Sequence, residues 1–180
     1  MKVLVFSDVH GSAYFCNKVI NLYHQLDCHQ AVLLGDVYYH GPRNPLPQGY
    51  EPMSVADLLN SFDGHLVVVK GNCDAEVDQM ISRFTFKASY TQKIGKRKVF
   101  FTHGHKYHEK NLPKSLKQGD VLFHGHTHVA GVKVAKSGVL VANPGSVSLP
   151  KDGCNSFAVI DENGIAFYDV NGKNLGVYKF

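Results

Sequence analysis

Side chains that give a divalent cation oxygen and nitrogen donors recur in five short groups: Ser7-Asp8-Val9-His10, Gly35-Asp36, Gly71-Asn72-Cys73-Asp74, His103-Gly104-His105 and His124-Gly125-His126-Thr127-His128. Such a mixed donor set suits first-row divalent metals. Asp8 and His10 are two residues apart, a spacing that puts both on one side of an extended segment, where they would clamp one cation. His126 and His128 repeat it, and Gly125 beside them lets the backbone approach closely. Asp36 has no second donor next to it, but its carboxylate can bridge two cations about 3.5–4 Å apart. Asn72 adds a neutral amide oxygen. Asp8, His10, Asp36, Asn72, His103, His126 and His128 make seven candidate ligands. Two cations sharing one carboxylate would then have four protein contacts each.

Each group follows an apolar run that reads as a buried strand: residues 3–6, 31–34, 66–69, 99–101 and 121–123. Side chains at the carboxyl ends of neighbouring strands converge on one cleft, so the strands themselves would assemble the site. Phe15, Val19, Tyr23 and Leu26 recur at helical spacing between the first two strands. A second helix is expected from residue 55 to about residue 62, with Ser54 as its cap and Asp57 at the return position of a capping box. Val77, Met80, Ile81 and Phe84 form a third helical stripe, read as core, with Asp74, Glu76 and Asp78 at its amino end. Asp74 is expected to cap that helix, with orienting a metal ligand as the alternative role. Residues 40–50, rich in Pro and Gly, read as a loop at the active edge. After Ala88 short turns at Gly138, Asp152-Gly153, Asn163-Gly164 and Asn171-Gly172 suggest a β-meander. A βαβαβ half followed by a strand-rich half predicts two mixed sheets packed face to face with helices outside.

At 180 residues and 44% hydrophobic content, the chain has enough apolar surface for one core, hence a single domain over 1–180. Only four apolar residues separate Met1-Lys2 from Ser7-Asp8, too few for a signal or spanning segment, so a soluble cytoplasmic protein without a membrane partner is expected. Cys16, Cys28, Cys73 and Cys154 show no CxxC spacing, which favours reduced thiols. The formal charge of +4 is mild, and its densest cluster, Lys96-Arg97-Lys98, follows Gly95 in what reads as a solvated hairpin turn. Nucleic-acid binding is not supported by charge alone. An exposed edge of the terminal meander could pair with a second copy to give a homo-oligomer.

The motifs DxH, GD, GN, HGH and GHTH, in that order and followed by Asn143-Pro144-Gly145-Ser146, resemble the calcineurin-like metallophosphoesterase superfamily over essentially the whole chain. Leu34-Gly35-Asp36 leading to His40-Gly41-Pro42-Arg43-Asn44, with Gly71-Asn72-Cys73-Asp74 and Glu76-Val77-Asp78-Gln79-Met80, is similar to the small bacterial YfcE-type phosphodiesterases. The resemblance implies the α/β class, as a four-layer α/β/β/α sandwich of two mixed sheets. It also implies a dinuclear-metal-dependent phosphoesterase that hydrolyses a small phosphodiester by attack of a metal-bridging hydroxide. Manganese commonly supports such enzymes, although Fe, Co, Ni and Zn accept the same ligands. Carried over by position, one cation would take Asp8, His10, Asp36 and His128, and the other Asp36, Asn72, His103 and His126.

Many members of that superfamily place a proton-donating His directly after the motif Asn, where this chain has Cys73. That role does not transfer. Cys73 is either a weak donor, with an ordinary thiol pKa of about 8.5, or a small buried residue, and good leaving groups should therefore be hydrolysed best. Arg43 could pair with a phosphate through two parallel hydrogen bonds, or serve only the loop. His40 is a candidate substrate contact, and His105 a candidate partner to a metal ligand. His24, His29, His65, His108 and His124 lie outside the ligand spacings and read as ordinary surface or core residues. A phosphomonoesterase on the same site is an alternative. Another is a non-catalytic protein-interaction scaffold of the same fold, but in the retromer subunit that exemplifies it Asn replaces the bridging Asp, whereas Asp36 is present here. A nuclease would need DNA-gripping segments that 180 residues leave no room for.

Overall fold

The computed structural model describes residues 1–180. Val3–Phe6 (β1) is buried along its whole length, as only a central strand covered on both faces can be. It is followed by Ala13–Gln25 (α1), Gln30–Leu33 (β2), Pro52–Asn60 (α2), Leu66–Val69 (β3), Glu76–Ile81 (α3) and Phe86–Lys87 (β4). Five further strands are Tyr90–Ile94 (β5), Arg97–Phe101 (β6), Val121–Phe123 (β7), Gly131–Val134 (β8) and Leu140–Asn143 (β9). Ser156–Ile160 (β10), Gly164–Asp169 (β11) and Asn174–Lys179 (β12) complete the chain.

These strands form two mixed sheets, one of seven in the order β12-β11-β10-β1-β2-β3-β4 and one of five in the order β5-β6-β7-β9-β8. Each has a parallel centre: β1, β2, β3 and β4 run together in the first, and β6, β7 and β9 in the second. The α/β sandwich of two mixed sheets is therefore present. Residues of alternating parity split the core between its two faces. Val3, Val5, Val32, Phe101, Phe123 and Ile160 fill the space between the sheets, while Leu4, Phe6, Leu33 and Phe157 pack outward beneath α1 and α2. The outer face of the five-stranded sheet carries no helix. There Leu122, Val139 and Val141 are covered by Leu112 and Leu116 from the irregular segment 102–120.

Several local expectations change in three dimensions. The second helix begins at Pro52 with Glu51 in the cap position, so Ser54 sits in the first turn and its hydroxyl donates to Glu51 Oε2. Proline suits that first helical position because its missing N–H would have no partner there. The stripe on α3 divides: Ile81 and Phe84 pack against the outer core, but Val77 and Met80 are 62% and 83% exposed. A helix of two turns is too short to bury more than one edge. The tail is a meander only over β10, β11 and β12, because β6, β7 and β9 are parallel and need crossovers. Asp152-Gly153 consequently lies in a connection between the two sheets instead of a hairpin turn.

Phe101 and Phe123 stack between the sheets with ring centroids 5.8 Å apart, and both are fully buried. Phe101→Ala should cost about 3–5 kcal/mol of unfolding free energy, read as a lowered midpoint in urea with an unchanged slope.

Candidate metal centre

Residues beyond the ends of β1, β2, β3, β6 and β7 meet at one edge of the sandwich. The turn there is unusual for its backbone. Six non-glycine residues have positive φ, and five of them are Asp8, His10, Asp36, His126 and His128, at 48° to 67°. The chain is thus not extended at Asp8 and His10, contrary to the expectation from their spacing. Left-handed turns, not strand alternation, bring the two side chains together. Asp and His tolerate this region better than most residues, yet such backbone still costs roughly 1–3 kcal/mol per position and persists only where its surroundings hold it. Backbone bonds from Asp8 to Gly35, His10 to Asp36 and Gly11 to Val37, at 2.8–3.1 Å, do so between the first two loops.

The side chains converge in two clusters, Asp8, His10 and His128, and Asp36, His103 and His126, with a third overlapping group of His10, Asp36 and Cys73 between them. The Nδ1 atoms of His10, His103 and His128 donate to the carbonyls of Tyr39, Leu34 and Leu149 at 2.6–2.8 Å. That fixes each ring so that Nε2 turns its lone pair inward, as a metal-ligating histidine requires. The inward atoms crowd one another. His10 Nε2 and His128 Nε2 are 3.3 Å apart, and His126 Nδ1 is 3.2 Å from His103 Nε2. Asn72 Oδ1 lies 2.9 Å from His103 Nε2, and its Nδ2 points to Cys73 Sγ. Asp8 Oδ2 accepts the His126 backbone N–H, but the buried Oδ1 has no hydrogen-bond partner. Ligand atoms this close, with one carboxylate oxygen left without a partner, call for positive charge in each cluster, as a proton on an imidazole or as a cation.

Asp36 joins the two. Its Oδ1 accepts the Cys73 backbone N–H at 2.8 Å, leaving Oδ2 at 3.8 Å from His10 Nε2 and 3.4 Å from His103 Nε2. A single oxygen therefore faces both clusters. Electrostatics within the site follow from this crowding. Burial alone would raise the Asp8 carboxyl, but His128, His103 and His10 hold it well below the usual range. Burial works against a charged His103, yet Asp36 and Asp8 push it up to about 9. Burial lowers His10 and His126.

A layer of groups holds the ligands in place, and most of it lies in residues not assigned a role from sequence. Of the two roles open to Asp74, capping α3 is not realised: the cap position is Ala75, and Asp78 accepts the N–H there. The Asp74 carboxylate instead accepts from the backbone of Asp36 at 2.9 Å, Val37 at 2.7 Å and Gly71 at 2.6 Å, binding the loops after β2 and β3 together. The Asn143-Pro144-Gly145-Ser146 motif acts in the same way. Ser146 and Ser148 hydroxyls both donate to the Asp8 carbonyl, at 2.8 and 2.9 Å, and Asn143 Nδ2 donates to Gly125 O and Thr127 Oγ1. Gly125 is confined by shape: a Cβ there would collide with the Ser7 hydroxyl and the Asp8 carboxylate. Its sequence role as a point of close approach is therefore realised.

Cys73 is half-buried, with Sγ close to the donor atoms of His10 and Asp36. Burial, then Asp36 and Asp74, push its thiol up to about 12, so it is neutral near pH 7. Gly41 lies against it, which places the 40–44 loop beside the site. His40 on that loop is partly exposed and 3.5 Å from the Tyr50 hydroxyl, and Arg43 is exposed with no ion pair. The His105 ring is 5.5 Å from that of His103. His108 and the buried His124, read from sequence as ordinary, line a cavity that adjoins His126. His24, His29 and His65 are remote from the clusters.

An edge-mounted cluster of this kind on paired mixed sheets is characteristic of hydrolases acting on phosphoesters. The chain belongs to the calcineurin-like phosphoesterase superfamily, whose domain model matches residues 1–164. It is 41% identical over 177 residues to phosphodiesterase YfcE of Escherichia coli strain K12, covering 97% of this chain and 95% of that protein. It is 29% identical over 186 residues to the probable metallophosphoesterase YsnB of Bacillus subtilis strain 168, again covering 97% and 95%. The solved structure of the E. coli phosphoesterase Yfce superposes with a TM-score of 0.93 at 37% identity, covering 99% of each chain. Family membership carries divalent-metal binding, in agreement with the clustered donors. No helix is long and apolar enough to cross a membrane.

Asp74→Ala would strand three backbone donors in a buried place. A loss of about 2–4 kcal/mol is expected, with metal affinity falling roughly 10–100-fold because the Asp36 loop is released. Urea denaturation of the metal-free protein and calorimetric titration with manganese separate the two effects.

Proposed function

We propose that this chain is a phosphodiesterase with two metal ions, in which Asp8, His10, Asp36 and His128 hold one divalent cation and Asp36, Asn72, His103 and His126 hold the other. The observation that carries this reading is Asp36 Oδ2, which faces both donor clusters at once. When bound, such a pair polarises phosphoryl oxygens and makes a water acidic enough to attack near neutral pH. Asp36 and Asn72 act by fixing the ligand geometry. Arg43 is free of any carboxylate and sits on the loop beside Cys73, so it is suited to grip a non-bridging phosphate oxygen pair. His40, partly exposed on the same loop, would contact the ester. Cys73, as a neutral thiol, contributes shape and at most weak proton donation, so diesters with good leaving groups turn over fastest.

Four imidazoles, two carboxylates and one amide form a mixed nitrogen and oxygen set that manganese accepts, and manganese is our proposed native metal. All four cysteines are free, two of them buried, in keeping with a reducing cytoplasm.

Asp36→Asn removes the shared charge and should lower kcat by more than about 100-fold, beyond the usual cost of losing an outer partner, while circular dichroism stays native. Full activity with both metals bound would refute the bridge. For His103→Ala, elemental analysis should find about one cation per chain in place of two. Chelation should abolish hydrolysis of bis(p-nitrophenyl) phosphate and added manganese should restore it. A preference for p-nitrophenyl phosphate over the diester would count against the diesterase reading.

A further inference from the structure

Next to the metal ligands the molecule has a second concavity, of about 750 Å³, whose wall includes His126. It lies between the segment that follows β6 and strand β8. His124 and Asn143 line its inner part, with His105 and Lys110 contributed by the segment and Val132 and Lys133 by β8. The two walls are joined, because Lys133 Nζ lies 3.4 Å from Glu109 Oε2. The segment is also internally braced. Tyr107 packs edge-on against Phe100 of β6, Asn111 Nδ2 donates to Lys106 O, and His108 and Asn111 exchange backbone hydrogen bonds.

Size and position point to a ligand. The volume is that of a small-molecule site and far exceeds what one phosphoryl group fills. His126 belongs both to the donor cluster and to the cavity wall, so the cavity adjoins the place where a phosphorus at the cluster would sit. Charge then narrows the class. Lys133 offsets Glu109, whereas Lys110 has no carboxylate partner, leaving the cavity with an excess positive charge. No Phe, Tyr or Trp lines it; its rings are the imidazoles of His105, His108, His124 and His126.

We propose that this cavity is the subsite for the retained ester group of the phosphodiester, and that it selects groups bearing a further negative charge, such as a phosphorylated sugar. The proposal rests on the diesterase reading above and adds the identity of the second substituent.

Two diesters with the same leaving group test it. Thymidine 5′-(p-nitrophenyl phosphate) and its 3′-phosphorylated derivative differ only by the extra phosphate. The manganese-loaded protein should favour the 3′-phosphorylated diester by at least about tenfold in kcat/KM, as one added charge-assisted contact would give. Raising KCl should shrink that ratio. Lys110→Ala should reduce it, and Lys110→Glu should bring it to one or below. Equal kcat/KM for both diesters in the unaltered protein, or an unchanged ratio in Lys110→Glu, would overturn the subsite and leave the diesterase reading standing. If neither diester were hydrolysed with manganese, cobalt or zinc, the diesterase reading itself would fall, and the subsite with it.

Discussion

Two carboxylates and four imidazoles pressed within hydrogen-bond distance of one another repel unless positive charge lies among them. Much of the surrounding structure can be understood as resistance to that repulsion. Nδ1 of three histidines is tied to main-chain carbonyls, Asp74 clamps two loops through three N–H groups, and two serines hold the Asp8 carbonyl. Each of these bonds is worth only about 1 kcal/mol net. Together they keep five strained residues in a conformation that no single one of them would favour. Pre-organisation of this kind is what lets a site bind cations in a fixed geometry instead of collapsing around whichever ion arrives.

The fold follows from the same requirement. Parallel strands place all their carboxyl ends on one edge, and each sheet supplies such a set, so packing the sheets face to face brings two sets of loops together. Antiparallel hairpins alone would scatter those ends over opposite edges. Burial of β1 and β2 on both faces anchors the loops that carry Asp8, His10 and Asp36 in the stiffest part of the molecule.

Much of this could be read from the chain before its structure. Apolar runs that stop at Asp, His or Asn announce strand ends, and their order gives the superfamily. The left-handed turns could not be read, because Asp8, His10 and His126 carry no local mark such as glycine for positive φ. Tertiary hydrogen bonds impose it. The choice between the two roles of Asp74 could not be made from sequence for a related reason: two of its three partners, Asp36 and Val37, lie 38 and 37 residues away. Helical periodicity at Val77 and Met80 misled, since periodicity shows that a face exists without showing that anything covers it. The cavity beside His126 was invisible, as its walls are brought together only by the pairing of β8 with β9 and an ion pair spanning 24 residues.

Each donor cluster draws on both sheets. Asp8 and His10 follow a strand of the larger sheet and His128 one of the smaller, and Asp36 faces His103 and His126 in the same way. During synthesis Asp8 and His10 leave the ribosome about 120 residues before His128, and Asp36 precedes His103 by 67, so neither cluster can assemble until most of the chain has emerged. A cation held in either cluster would tie one sheet to the other, so pulling the sheets apart would also break its coordination.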